Sequence, residues 1–367
     1  MIGDSNYCPA VWKTLSLDRY NEDKISVAPC CQAQSKLTDA ADFDFASDPW
    51  LQEIRLSFLR GERPQSCRAC WDAESSGKLS RRMTEQTHWG AEPNYQIELK
   101  GLDYQATWAC NSACIMCDPG KSSMWANELG FSNHQLRGLG RHFQKRNPYL
   151  DKVPLENLNM IHFNGGEPFL NSDALDFLKR VVDVVPTEEL RLSYNTNGTI
   201  FPDPELIDLW AKMRSVRLMF SIDAVGDAFN YVRWPGRWDR VDANITKMLR
   251  TTPGTVVWSI NATVGCYNIA DLAALTEWFD ERFAACDPPA HFFWQVAYNF
   301  HPGGLNEASK QAIRERYADH HVWKYILGYL DHDNRDDNWI KKLEMIDQRR
   351  GTDWTQALSI SQYYPKS

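Results

Sequence analysis

The sequence lacks any long apolar segment, and no run approaches the ~18 residues that a membrane-spanning helix needs. The N-terminus has neither the basic nor the apolar stretch of a secretory signal. Basic residues are not in excess: 40 Lys and Arg stand against 48 Asp and Glu, a formal net charge of -8. This acidic balance disfavours a nucleic-acid-binding surface. We therefore expect a cytoplasmic protein without membrane contact, for which nucleic acid is a disfavoured partner.

Internal repeats and low-complexity tracts are also absent. A hydrophobic content of 43% with 15 Trp suffices for a large core, and 367 residues leave room for two or three domains. Ten cysteines remain to be explained. In a reducing compartment, cysteines bind metal more often than they form disulfides. The cysteines therefore indicate metal sites.

Three cysteines lie in one short segment, at Cys110, Cys114 and Cys117. This spacing lets three thiolates converge on one centre, and three ligands leave one coordination position open. A [4Fe–4S] cluster held in this way can bind a further molecule at its unique iron. A structural zinc loop is the alternative, but zinc usually takes a fourth ligand. No His or Cys follows within the next ten residues to supply it.

Apolar segments alternate with helical patterns from about residue 97 onwards. Six of them read as strands: 97–105, 158–163, 190–194, 216–222, 256–264 and 292–298. Between them, apolar residues recur at the three- and four-residue spacing of helices. Six βα units imply an α/β fold with a parallel sheet covered by helices. They suit a partial (βα)6 TIM-like barrel, whose active residues collect at the C-terminal strand ends. A doubly wound open sheet has the same periodicity.

We predict three domains: 1–92, 93–304 and 305–367. The first is small, irregular and cysteine-rich, and its one clear helix begins after Asp48 and ends near Gly61. The second holds the βα units. The third is a C-terminal helical extension, with a long helix over residues 306–330 and a shorter one around Trp339.

The run Cys110-Asn111-Ser112-Ala113-Cys114-Ile115-Met116-Cys117 resembles the signature of the radical S-adenosylmethionine (SAM) superfamily. Four more motifs fit that family's pattern at the strand ends: Asn164-Gly165-Gly166-Glu167-Pro168, Tyr194-Asn195-Thr196-Asn197-Gly198, Phe220-Ser221-Ile222-Asp223-Ala224 with Tyr231-Val232-Arg233, and Asn261-Ala262-Thr263-Val264. The resemblance implies that a [4Fe–4S] cluster on the three cysteines binds SAM and cleaves it to a 5′-deoxyadenosyl radical.

The same resemblance implies that the motifs contact the cofactor. The implied SAM-binding residues are Gly165, Gly166, Glu167, Asn195, Asn197, Ser221, Asp223, Arg233 and Met116. Other roles stay open for several of them. Ser221, Asp223 and Arg233 could equally form strand-end caps or ion pairs, and Met116 could fill the core.

A second group of cysteines precedes the βα units, at Cys8, Cys30, Cys67 and Cys70. Cys31 is the alternate to Cys30. The group resembles the twitch domain, a shortened SPASM-like module that holds an auxiliary [4Fe–4S] cluster in radical SAM enzymes. That module usually follows the barrel, whereas here it would precede it. A zinc knuckle remains open, because four cysteines suit zinc equally well.

The resemblance implies an enzyme of oxidoreductase or synthase type. It would take a hydrogen atom from a small-molecule or peptide substrate, with the auxiliary cluster as electron acceptor or relay and a flavodoxin or ferredoxin as reductant. Oxidation, crosslinking or bond formation would follow. One alternative is an epimerase in which Cys266, just past the fifth predicted strand, donates a hydrogen atom. Others are a non-catalytic zinc-binding scaffold and a tRNA-modifying enzyme, against which the acidic charge counts.

Overall fold

The computed structural model of the chain describes residues 6–19, 24–132, 152–170, 172–332 and 338–364. The strands are β1 Thr14–Arg19, β2 Lys24–Ala28, β3 Lys36–Asp39, β4 Gly101–Thr107, β5 Met160–Gly165, β6 Arg191–Thr196, β7 Ser215–Ser221, β8 Val256–Val264 and β9 His291–Val296. The helices are α1 Ala10–Lys13, α2 Pro49–Leu59, α3 Arg68–Ser75, α4 Arg81–Trp89, α5 Ser123–Glu128, α6 Asp173–Val182, α7 Pro204–Trp210, α8 Gly226–Val232, α9 Trp238–Thr251, α10 Leu272–Arg282, α11 Glu307–Tyr317, α12 Trp339–Arg350 and α13 Trp354–Ala357. Among the described residues, none of these helices is long and apolar enough to cross a bilayer.

The chain divides into two compact units. The first comprises residues 1–109, 130–194 and 208–216, and the second comprises residues 110–129, 195–207 and 217–367. In the first unit the strand order is β3-β2-β1-β4-β5-β6. Strand β1 pairs antiparallel with β2 and parallel with β4, and the β4–β5 and β5–β6 pairs are also parallel.

One face of β4, β5 and β6 is apolar because alternate side chains of a strand point to the same side. Tyr104, Phe163 and Tyr194 lie on this face, and all three are fully buried. The rings of Phe163 and Tyr194 stack with centroids 4.7 Å apart. Phe177 of α6 packs against Tyr104 at 5.0 Å, so helix α6 covers the face. This packing forms the core of the first unit.

In the second unit β7, β8 and β9 are neighbours in that order. Strand β8 pairs parallel with β9 over six residues, from Ser259 opposite His291 to Val264 opposite Val296. The protein is therefore a mixed α/β fold with parallel strand pairs, as the alternation of strand and helix patterns predicted. All six predicted strands are present, within a few residues of their predicted bounds.

The N-terminal segment is more regular than the sequence suggested, since it contains β1, β2 and β3. Its buried side chains alternate along the strands, at Leu15 and Leu17 and again at Ile25 and Val27. That is the period-2 signal of a half-buried strand, in segments of only five or six residues. Helix α2 begins as predicted, because the Asp48 carboxylate accepts the first free backbone N–H groups.

The long helix predicted over residues 306–330 is wrong. Helix α11 ends at Tyr317, and a separate 3₁₀ helix follows at Trp323–Tyr329. The imidazole Nδ1 of His320 accepts the backbone N–H groups of Val322 and Trp323, both at 3.2 Å. A side chain that accepts hydrogen bonds from nearby backbone N–H groups competes with the backbone carbonyls of the helix for those groups. The α-helix therefore ends before His320, and a new 3₁₀ helix begins after it.

Candidate active site

The loop that carries Cys110, Cys114 and Cys117 is held by helix α5 of the same unit. The backbone N–H of Cys110 donates to the Ser123 hydroxyl at 3.0 Å, and that hydroxyl donates to the Cys110 carbonyl at 3.1 Å. The indole Nε1 of Trp125 donates to the Cys114 carbonyl at 2.7 Å. These bonds fix the backbone between the cysteines, as a multidentate metal ligand requires.

The same loop is hydrogen-bonded to the end of helix α8 and to the chain that follows it. The backbone N–H of Ala113 donates to the Trp234 carbonyl at 2.6 Å, and that of Ile115 donates to the Val232 carbonyl at 3.0 Å. The loop is thus bonded on two sides within the second unit.

Arg350, the last residue of α12, stabilises the three-cysteine loop. Its Nη2 donates to the Ala113 carbonyl at 2.8 Å, and its Nε lies 3.0 and 3.1 Å from the two carboxylate oxygens of Glu128. The guanidinium also lies over the Trp125 ring, 4.7 Å from its centroid. Only 2% of the Arg350 side chain is exposed. Sequence reasoning missed this residue, since 237 positions separate it from Ala113.

Arg233 and Asp223 form a buried ion pair beside the loop. Arg233 Nε lies 2.8 Å from Asp223 Oδ2, and Arg233 Nη1 lies 3.7 Å from the Cys114 sulfur. Asp223 Oδ1 accepts the backbone N–H of Thr263 at 2.7 Å. The cation therefore faces one of the predicted ligands, where it favours a thiolate.

The thiols of the loop lie in a desolvated setting. Burial raises the pKa of Cys117 to about 12, and the neighbouring thiols of Cys114 and Cys110 act in the same direction. Burial also raises the pKa of Cys114, and the Arg233 cation opposes that rise. Metal binding at these thiols would therefore release protons. Among the described residues, no three His, Cys, Asp or Glu side chains are arranged to hold a single metal ion.

The Gly165-Gly166-Glu167 turn of the first unit is bonded to the chain that follows β4. Gly166 N–H donates to the Thr107 carbonyl at 2.7 Å, and Glu167 N–H donates to the Ala109 carbonyl at 2.8 Å. A Cβ on Gly166 would meet the Ala109 carbonyl oxygen and would lie 2.6 Å from its carbon. Gly165 has a φ of +113°, which side chains rarely allow. Glycine is therefore required at both positions. The side chain of Glu167, the next residue, is fully buried.

The two asparagines of the next motif have different surroundings. Asn197 Nδ2 donates to Asn111 Oδ1 at 2.9 Å and to the Ser112 hydroxyl oxygen at 3.1 Å, so this side chain supports the cysteine loop. Asn195 Oδ1 is buried without a hydrogen-bond partner. A buried acceptor usually has one, so Asn195 suits a bound molecule that carries N–H or O–H groups. Ser221 and Met116 are half-buried.

The predicted auxiliary cysteines lie together in the first unit. Cys8, Cys30, Cys67 and Cys70 all line one small cavity. Cys31 does not line it; its thiol is hydrogen-bonded to the Asp103 carboxylate. Burial raises the pKa of Cys30 and of Cys67 to about 11 each, and that of Cys8 well above its usual range.

Local structure explains how four distant cysteines meet. Cys8 lies two residues before the start of α1, and Cys30 lies two residues after the end of β2. Cys67 ends the 3₁₀ helix Gln65–Cys67, and Cys70 lies in the first turn of α3. Four thiols around one cavity match in number the four cysteine ligands of a [4Fe–4S] cluster.

Buried donors around this cavity also lack acceptors. Trp71 and Arg81 line the cavity, and neither the indole N–H of Trp71 nor the Nε of Arg81 has a hydrogen-bond partner. Leaving such a group unpaired costs roughly 1–3 kcal/mol. A sulfur-rich group between the thiols would supply acceptors, so the surroundings fit an iron–sulfur cluster.

Cys266 lies two residues past the end of β8, as predicted, but away from solvent. Its side chain is fully buried, and its thiol donates to the His301 carbonyl at 2.9 Å. The structure thus gives it a packing contact and a hydrogen bond within the second unit.

Comparison with known proteins found one family match. Residues 104–279 match the family model described as the Radical SAM superfamily. No curated protein matches the chain.

Solved structures give weaker likenesses. One is Streptococcus suis SuiB bound to S-adenosylmethionine, at 13% identity and a TM-score of 0.37, covering 85% of this chain and 68% of that one. Another is anSMEcpe with bound AdoMet and the Cp18Cys peptide, at 15% identity and a TM-score of 0.39, covering 60% of each chain. A third is TYW1 with a lysine-pyruvate adduct bound, at 16% identity and a TM-score of 0.26, covering 46% of this chain and 57% of that one.

Proposed function

We propose that this protein is a radical SAM enzyme with two iron–sulfur clusters. One cluster, on Cys110, Cys114 and Cys117, would supply the electron that cleaves SAM to the 5′-deoxyadenosyl radical. That radical would take a hydrogen atom from a small-molecule or peptide substrate. The auxiliary cluster would accept or relay the electron that the substrate then loses. We further infer that residues 93–304 form a partial (βα)6 barrel, with residues 1–92 as a twitch-like module and residues 305–367 as a helical extension.

One observation carries this proposal. In a chain whose residues 104–279 match the Radical SAM superfamily model, a separate set of four cysteines lines a single cavity. Four protein ligands leave no open position for SAM, so the second site suits electron transfer rather than SAM cleavage. Oxidation, crosslinking or bond formation are reactions that need an electron acceptor of this kind.

The chain's own residues would prepare the SAM site. The Arg233 cation beside Cys114 favours the thiolate form that binds iron, and Asp223 holds that cation in place. The free acceptor of Asn195 suits an amino or hydroxyl group of SAM. The backbone of the Gly165-Gly166 turn can approach a ligand closely because it carries no side chains.

A half-exposed polar face of the sheet supports a polar substrate. In β5 and β6 the half-buried side chains alternate with buried ones and include His162, Asn164 and Ser193. Asp103 of β4 lies on the same side and accepts a hydrogen bond from Asn164. Carboxylate, amide, imidazole and hydroxyl groups suit a substrate with amino, amide or hydroxyl groups, and such groups occur in both small molecules and peptides.

A groove beside Cys117 supports electron entry from an external carrier. Its walls include Cys117 itself, the apolar side chain of Met345 and the cations Lys342 and Arg349; one carboxylate, Asp118, also lines it. Met345 is 57% exposed. On a chain of net charge -8, such a local excess of cations would steer an acidic carrier such as flavodoxin or ferredoxin to the cluster.

Iron content tests the two-cluster proposal. Anaerobically reconstituted protein is expected to bind roughly eight iron atoms, as two [4Fe–4S] clusters. Cys67→Ala/Cys70→Ala should lose about half of the iron but still cleave SAM when reduced by dithionite. Cys286→Ala, which removes a half-buried cysteine outside both groups, is the control and should keep all of it. Unchanged iron in the double variant, or zinc at the four cysteines, would contradict an auxiliary cluster.

A separate outcome would remove the enzyme proposal altogether. A colourless protein that binds zinc and never cleaves SAM would be a scaffold instead. An epimerase would incorporate solvent deuterium into its product and lose that incorporation in Cys266→Ala.

A further inference from the structure

Three indole N–H groups cluster where the structure offers no acceptor. Trp12 and Trp71 belong to a buried apolar cluster with Cys8, and Trp50 packs against it together with Cys30. Among the described residues, these are the only buried indole N–H groups without a hydrogen-bond partner. Indoles elsewhere in the described chain donate to carbonyl, hydroxyl or carboxylate oxygens: Trp89, Trp125, Trp210, Trp278, Trp323 and Trp339.

Trp71 differs from the other two because it lines the four-cysteine cavity. It directly follows Cys70 on helix α3, and only 8% of its surface is exposed. A buried donor usually has an acceptor, and for a residue of the cavity wall a group bound in that cavity can supply it.

The indole is also held firmly. The guanidinium of Arg63 lies 5.0 Å from its centroid and that of Arg82 lies 5.1 Å away. Arg82 is itself fixed by an ion pair with Glu74 at 2.7 Å and by a bond to the Tyr7 carbonyl at 3.1 Å. The N–H direction is therefore set by the protein before any group binds.

Arg81 supplies an independent sign of a missing acceptor at the same cavity. Its Nη2 pairs with Glu85 at 2.6 Å, but its Nε is buried and unpartnered. The guanidinium interacts electrostatically with Cys30, one of the four cavity cysteines. Two residues from different helices, each with an unpartnered donor, thus line the cavity of the four cysteines.

We propose that Trp71 is a positioning residue that donates its Nε1–H to a sulfur atom of the group held by Cys8, Cys30, Cys67 and Cys70, and thereby raises the reduction potential of that group. The inference rests on the proposed auxiliary cluster. A hydrogen bond to sulfur withdraws electron density and stabilises the reduced, more negative cluster. A higher potential makes the cluster a better acceptor for the one electron that the substrate radical loses, while a proton leaves to solvent.

The experiment is an EPR-monitored redox titration of the reconstituted protein. Trp71→Phe keeps the ring but removes the N–H, and Trp50→Phe is the matched control, because Trp50 is also unpartnered but does not line the cavity. The auxiliary midpoint potential should become more negative in Trp71→Phe and stay unchanged in Trp50→Phe. The SAM-binding cluster should keep its potential in both. An unchanged auxiliary potential in fully loaded Trp71→Phe would overturn the inference.

A measurement on the parent protein decides the matter even if Trp71→Phe fails to take up iron. Protein labelled with indole-15N tryptophan should show a 15N hyperfine coupling to the reduced auxiliary cluster, and Trp50→Phe should retain it. The absence of this coupling in the parent would overturn the inference. A parent with only one cluster would instead overturn the proposed function, so the two failures are distinguishable.

Discussion

Replacement of Arg350 tests whether the cysteine loop is stabilised by a side chain 237 positions away in the sequence. In Arg350→Met the Glu128 carboxylate loses its cation, and the Ala113 carbonyl loses a donor. Removing one partner of a buried ion pair costs roughly 3–5 kcal/mol. The Glu128 side chain is 15% exposed and can regain some water, so we take the lower end, about 3 kcal/mol.

This loss should appear as faster opening of the loop. Since every 1.4 kcal/mol is a factor of ten, amide hydrogens of the loop should exchange about 100-fold faster. The amides to follow are those of Ala113 and Ile115, which donate to the carbonyls of Trp234 and Val232. Native-state hydrogen exchange with mass spectrometry measures them directly.

The neighbouring residue provides the control. Arg349 is exposed and has the same type and charge, so Arg349→Met should change stability by no more than about 0.5 kcal/mol, or about twofold in exchange. If loop amides exchanged equally fast in Arg350→Met and Arg349→Met, the buried pair would not be what holds the loop. Slower iron uptake by Arg350→Met alone would be the accompanying functional result.

Two more predictions concern the turn after β5 and the groove beside Cys117. Gly166→Ala should abolish SAM binding measured by equilibrium dialysis, because its Cβ would overlap the Ala109 carbonyl. The control is Gly254→Ala, which has open space around it and should bind SAM normally. Equal SAM binding by the two variants would contradict the close approach of Gly166 to Ala109. Lys342→Glu/Arg349→Glu should slow SAM cleavage driven by reduced flavodoxin at least tenfold at low salt and leave dithionite-driven cleavage unchanged. Equal losses with both reductants would indicate damage to the cluster site rather than to docking.

Sequence patterns predicted the parts of the molecule that depend on local order. The spacing of Cys110, Cys114 and Cys117 identified the loop, and strand-helix alternation identified the parallel strands. The Asp48 cap was visible because capping acts within three residues. Such signals survive in a single sequence because neighbours in the chain are also neighbours in space.

The remaining features arise from contacts between distant segments. Arg350 is hydrogen-bonded to Ala113 although 237 positions separate them, and no periodic pattern in the sequence predicts such a contact. The break after α11 depends on a single histidine, His320, whose ring could equally have faced solvent. The unpartnered indole of Trp71 is visible only once every possible acceptor around it has been placed.

The parallel pairing of β1 with β4 bears on how the cysteine-rich segment could be gained or lost in evolution. Residues Thr14 to Leu17 cover one edge of β4. A protein that began at residue 93 would leave that edge bare, and a bare edge recruits strands from other molecules and promotes aggregation. If this segment were exchanged between relatives, the new segment would have to keep a strand that pairs with β4. The segment with the four cysteines and strand β4, which leads into the three-cysteine loop, would therefore be inherited together.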